Sequence, residues 1–397
     1  MLGVVVAVET RADSGVLRAR NAVAVVFAVN GFSMASWMSR LPEARDALSV
    51  SPGELGRLLL AISVGSILAL PLAGALVHRF GARVAITGAA VLDAVGVALA
   101  GTGAGVFGDV WVTAAGLFAF GLGTGVWDVA MNIDGAAVER RIGRTIMPRF
   151  HAGFSLGTVI GAGVGAACAG LGVPIVVHLV GAAVLVAVVP AFASPSLLPA
   201  HDEEKESPGG GLVRAWAEPR TLLVGLMVLA MALTEGTAND WLGVALVDGY
   251  DLPPWLGAVG FAVFLSAMTA GRVVGTILLD RFGRTKVLWA TMGTAGMGVL
   301  LVVFGTWLPL VFLGAAIWGI GASLGFPVGM SAAADDPARA AARVSVVSTI
   351  GYTAFLAGPP LLGYLADHVG TLHALLLVAA LLVPSALAVP AARHEPG

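Results

Sequence analysis

The chain has 397 residues, 58% of them hydrophobic and 12% charged, with a mean hydropathy of +0.92. A water-soluble domain fills its core with less, so this composition excludes an ordinary soluble protein and points to lipid as the main solvent. The net charge of −2 comes with no basic patch for nucleic acid, and the single cysteine, Cys168, excludes an intramolecular disulfide.

Taken in chain order, the polar N-terminus with Glu9, Arg11 and Asp13 argues against a cleaved leader. Apolar runs long enough to cross a bilayer, about 18–25 residues each, then follow one another. They cover residues 20–40, 55–77, 84–101, 110–134, 150–170 and 174–193, and after a polar stretch 221–243, 255–279, 287–305, 309–332, 343–366 and 371–391. Twelve helical spans are expected, and no strand. The 54 glycines suit such a chain, because small residues let membrane helices approach closely.

The polar stretch contains SPSLLPAHDEEKESPGGG and reads as a flexible linker. It divides the chain into a six-span half at 1–193, a linker at 194–219 and a second six-span half at 220–397. A repeat supports the division. GALVHRFGAR, from Gly74 to Arg83, returns as TILLDRFGRTK, from Thr276 to Lys286, each time in a charged turn between two apolar runs. Duplicated halves around a central interface are a common plan of secondary transporters.

Charge sets the expected orientation, because Lys and Arg accumulate in cytoplasmic loops. Eighteen basic residues fall on the side of the linker and both termini, and three (Arg40, Arg45 and Arg57) fall opposite. The linker side is therefore expected to be cytoplasmic, with Pro52 and Gly249 outside.

The paired turns resemble the marker of the major facilitator superfamily, a G-x-L-a-D-R-x-G-R-R-like turn after the second helix and a weaker copy after the eighth. Gly74, Leu76, Arg79, Gly81 and Arg83 match the first copy, with His78 at its acidic position; Asp280, Arg281, Gly283 and Arg284 match the second. The segments WDVAMNIDGAAVERR, EGTANDWL, GASLGFPVGMSAAADD and VSTIGYTAFLAGPPLLGYLADHVG are similar to the fucose-permease-like branch, above all to bacterial inner-membrane members. The resemblance implies an all-α membrane protein of twelve helices in two pseudo-symmetric six-helix halves. It also implies that spans one, four, seven and ten line a central cavity. In the fucose permease a span-four carboxylate precedes an asparagine, as Asp128 precedes Asn132 here; the permease's span-one carboxylate has only an apolar counterpart, near Met38.

An ionisable group inside a span is a functional hypothesis by default. Asp128 with Asn132, and Glu235 with Asn239, stand four apart and share a helical face. A carboxyl in a dehydrated cavity can alternate between charged and neutral forms, which proton coupling requires. Asp128 and Glu235 are thus expected to couple protons, against the plainer reading of fixed structural partners. Asp93 reads as a packing hydrogen bond and Arg272 as an inter-helix pair. Solute contacts are expected from Asn30, Trp127, Asn132, Asn239, Trp241, Phe326 and Tyr352. Gly74, His78, Arg79, Asp280 and Arg281 are expected to gate, Gly74 by close helix approach and the arginines by bonding helix-end carbonyls. His151 is either a proton relay or a helix-end residue, and Pro327, Pro359 and Pro360 should interrupt their helices.

No phosphate-binding loop and no zinc spacing is present, so neither a cofactor nor catalysis is expected, and an ion or solute gradient must drive the protein. The expected function is proton-coupled symport of a small polar, sugar-like solute by a monomer in a bacterial inner membrane. Proton-driven efflux and a non-transporting sensor are the alternatives.

Overall fold

A computed structural model describes residues 14–143, 146–198, 212–336 and 339–393; linker residues 199–211, Lys205 among them, lie outside the described residues. Every regular element within them is helical. In chain order the membrane-length helices are α1 (Ser14–Met38), α2 and α3 (within Pro52–Thr102, on either side of Gly81), α4 (Val110–Ile142), α5 (Met147–Gly170) and α6 (Ile175–Ala193). The second half has α7 (Pro219–Tyr250), α8 (Pro254–Phe282), α9 (Arg284–Phe304), α10 (Leu308–Ala333), α11 (Ala340–Val369) and α12 (Thr371–Ala392).

By length and apolarity the described residues hold 11 uninterrupted stretches able to cross a membrane, because Pro52–Phe107 is a single run of 56 residues. That run is too long for one crossing and holds two. Gly81 breaks it at φ 80° and ψ 158°, a conformation nearly closed to residues with a Cβ. Twelve spans result.

The boundaries follow from local chemistry. Ser51 and Glu54 form a reciprocal capping box at the start of α2, with Pro52 in the first turn. Asp109 caps α4 through the amides of Trp111 and Val112. On α10 the helix breaks at Ser323 and Leu324, ahead of Pro327, which sits in the first turn of the resumed helix where its missing N–H costs nothing. Pro359 and Pro360, expected to interrupt their helix, instead lie inside α11, which continues through them as one helix.

Each half ends alike. After α6 a short 3-10 turn (Ser194–Ser196) leads to Leu197, whose carbonyl accepts from Arg83; α12 ends in a 3-10 turn (Val389–Ala392), where the carbonyl of Ala392 accepts from Arg284 at 3.2 Å. The two arginines follow the two Arg-Phe-Gly turns, so the sequence repeat is also a structural one.

The halves meet along two seams, α2 against α11 and α5 against α8. At one end of the molecule the α2–α11 seam is nearly backbone on backbone: a Cβ at Gly56 would come 2.5 Å from the carbonyl oxygen of Pro359, and one at Gly363 would come 2.6 Å from that of Pro52. No larger residue fits there. A continuous apolar core joins the halves at this end, running from Trp37, Leu41 and Leu55 to Trp241, Leu246 and Leu372. At the linker end the first half has its own separate core around Phe27, Trp127 and Phe150.

Candidate functional site

The end away from the linker is sealed by polar contacts between the halves. Arg45, on the helix Leu41–Leu48, pairs with Asp248 of α7 at 2.5 Å, and Thr371 donates to the same carboxylate oxygen at 3.0 Å. Asp248 and Asp46 hold the Arg45 guanidinium above its ordinary pKa, although burial acts in the opposite direction and is the largest single influence. Asp367 of α11 accepts from the amide of Gly53 at 2.9 Å and so caps α2 from the opposite half. Sequence reading singles out none of these acids, because a charged residue at a span end is ordinary.

The middle of the molecule carries two polar groups at the seams. At the α5–α8 seam Arg272 donates through Nη2 to both oxygens of Glu235 on α7, at 2.9 and 3.0 Å. Its Nη1 crosses to Ser155 of α5 at 3.2 Å, and its Nε approaches the Ser323 carbonyl, left open by the break in α10, at 3.4 Å. The inter-helix pair read for Arg272 is present, and Glu235 is its carboxylate. His151, edge-on to Phe27 at 5.2 Å, lies within electrostatic range of Arg272.

On the other side Asp128 is half-buried, and Asn132 donates to its carbonyl at 2.8 Å and to Oδ1 at 3.3 Å. Tyr352 of α11, 42% exposed, lies within electrostatic range of Asp128 and stacks obliquely between Phe326 and Phe355 at 6.3 and 6.4 Å. Among the described residues Asp128 has no basic partner at ion-pair distance, whereas Glu235 does. Asn239 and Asp240 fall in a π-helical segment, Ala238–Leu242, which shifts Asn239 out of the four-residue register that pairs it with Glu235.

Several expectations are corrected. Trp127 and Trp241 are fully buried in the helix packing, each with an indole N–H that meets no partner among the described residues, so neither ring presents a face to the cleft. Asn30 is also buried, with its amide nitrogen unpartnered. A Cβ at Gly74 would meet nothing within 4 Å, so the close helix approach expected there is absent from this state. Arg79 and Arg281 make no hydrogen bond to helix-end carbonyls among the described residues; each guanidinium lies over its neighbouring ring, Phe80 at 5.4 Å and Phe282 at 5.3 Å. His78 and Asp280 are exposed beside them. Helix-end carbonyls are bonded instead by Arg83 and Arg284, each within its own half. Asp93 does accept a packing hydrogen bond, from Ser33 at 3.2 Å.

Two six-helix halves, sealed at one end and separate at the other around a polar middle, define a membrane transporter fold. The chain belongs to the Major Facilitator Superfamily, whose model matches residues 23–277 and 255–397. An uncharacterized MFS-type transporter of Yersinia pestis is 33% identical over 362 residues, covering 90% of this chain and 92% of that protein. Among solved structures, a variant of the nucleoside transporter NupG superposes with a TM-score of 0.77 at 13% identity, over 94% of this chain and 99% of that one. The E. coli fucose:proton symporter FucP has a TM-score of 0.63 at 16% identity, over 95% and 98%.

Proposed function

We propose that this membrane transporter is a secondary carrier of a bacterial inner membrane that takes up a small polar, sugar-like solute with protons by alternating access. The observation that carries the reading is the asymmetric closure: Arg45–Asp248, Gly53–Asp367 and a continuous apolar core at one end, and separate cores at the other. With the linker and both termini cytoplasmic, as the basic residues suggest, this is an inward-facing state of a monomer. Rocking of the halves would close the linker side and bring Gly74, His78, Arg79, Asp280 and Arg281 against the opposite half.

Asp128 is assigned as the proton carrier, since a carboxyl with no cationic partner can gain and lose a proton without breaking an ion pair. Glu235 shares the proton and solute roles through Arg272. Asn132, Asn239, Phe326 and Tyr352 supply the mixed polar and flat surface that a sugar ring needs, with Asn30 behind them. The nucleoside and fucose carriers of the same fold, which handle sugar-containing solutes by name, make the solute class reasonable. Purified protein in vesicles should accumulate solute when the interior is made alkaline and stop when a protonophore collapses the gradient. Accumulation unaffected by the protonophore would refute proton coupling.

A further inference from the structure

Arg272 is a guanidinium in the middle of a membrane span, and arginine stays charged at any biological pH. An unpaired charge there is costly, so Arg272 needs an anionic partner in every state of a transport cycle. In this state the partner is Glu235. The pairing is one-handed: both carboxylate oxygens share Nη2, while Nη1 is turned to Ser155 and Nε to a carbonyl 3.4 Å away. The two-pronged face that suits a carboxylate best is not used by Glu235. Both side chains are also reachable, Arg272 at 29% and Glu235 at 18% exposure.

If Glu235 takes up a proton it stops compensating Arg272, and a neutral sugar could not take its place. A solute carboxylate could, gripping the guanidinium with two parallel hydrogen bonds and leaving the total charge at the seam unchanged. Around this pair, His151 on α5 lies within electrostatic range of Arg272, and Asp240 follows Glu235 along α7 in the π-helical segment. Among the described residues Arg272 has no second carboxylate at ion-pair distance, and His151 could only add positive charge.

We propose that Arg272 anchors an acidic group of the solute in exchange for Glu235, so that the cargo is a polar monocarboxylate of the sugar-acid kind. This rests on the transporter reading only in that a solute must enter the cleft. Because Nη1 bonds Ser155 of the other half, the same exchange would report occupancy across the α5–α8 seam.

The test is thermal unfolding of the purified full chain with D-glucuronate or D-gluconate, set against D-glucose and L-fucose at matched sodium and ionic strength. Both carboxylates should raise the midpoint of the wild type. Glu235→Gln, which removes the competing carboxylate, should respond at about tenfold lower concentration, and Arg272→Gln should not respond. No carboxylate response in Glu235→Gln would overturn the proposal, as would neutral sugars stabilising the wild type and Arg272→Gln equally. If carboxylates bind through Arg272 but no vesicle preparation moves them, the anchor stands and the transport reading fails.

Discussion

Gly81 and Gly283, 202 positions apart in the chain, hold the same backbone conformation: φ 80° and ψ 158° in the first, φ 77° and ψ 159° in the second. Each follows an Arg-Phe pair and turns the chain from one span into the next. The region is one that residues with a Cβ enter at a cost of about 1–3 kcal/mol. Space is not the constraint at Gly283, where a Cβ would meet nothing within 4 Å. Gly283→Ala should therefore lower the unfolding midpoint by several degrees through backbone strain alone. Gly88→Ala, a helical position equally open, should leave it unchanged or raise it. Equal midpoints for the two variants would show that the turn tolerates a side chain.

The sealed end depends on carboxylates from the second half. Asp248→Asn and Asp367→Asn each remove one inter-half contact, and partly exposed pairs of this kind contribute about 0.2–1 kcal/mol. Each variant should shift the population toward the state open on that side by a factor of about 1.5–5, and Gly53→Ala should do likewise by driving a Cβ into the Asp367 carboxylate. The readout is the rate at which a membrane-impermeant thiol reagent labels a cysteine placed at residue 59, buried in the joint core. Unchanged labelling in all three would remove these contacts from the closure.

Glu218, just before α7, links that helix to the start of α11. It accepts from Arg343 at 2.7 Å, Thr221 at 3.0 Å and Arg339 at 3.2 Å. Burial pushes its carboxyl up, but the Arg343 and Thr221 hydrogen bonds and the two arginine charges together hold it below the ordinary carboxylate range. With the folded-state value depressed, the stabilisation is present above the unfolded pKa of about 4.3 and is lost as pH falls through the lower folded value. Glu218→Gln should thus be less stable than wild type at neutral pH, with the gap closing in acid below about pH 4. A gap that widens on acidification would contradict the sign.

Much of the fold is legible in the sequence because the bilayer imposes length: an apolar run either crosses or does not, and Gly81 marks the one boundary hidden inside a continuous helical stretch. Side-chain direction is harder to read. A membrane helix is apolar toward lipid and toward its neighbours alike, so Trp127 and Trp241 carry no mark that separates a core ring from a cleft ring. The π-helical turn at Ala238–Leu242 likewise defeats the four-residue spacing that pairs Glu235 with Asn239. Arg272 is legible as a group in need of a partner, since its charge stands alone in an apolar run. Which acid answers it depends on how α7 and α8 pack, and Ser155 on how the halves meet. Gly74, Arg79 and Arg281 belong to a motif whose expected helix-end contacts are absent among the described residues, and a motif alone does not tell which state of the protein makes them.

The central claim is that Asp128 carries the proton. The amide in Asp128→Asn cannot be charged, so it keeps the shape of the site and loses the response to pH. In reconstituted vesicles, solute exchange at equal pH should persist in this variant while uphill accumulation driven by an alkaline interior falls to the level of empty vesicles. Full pH-driven accumulation by Asp128→Asn would contradict the account.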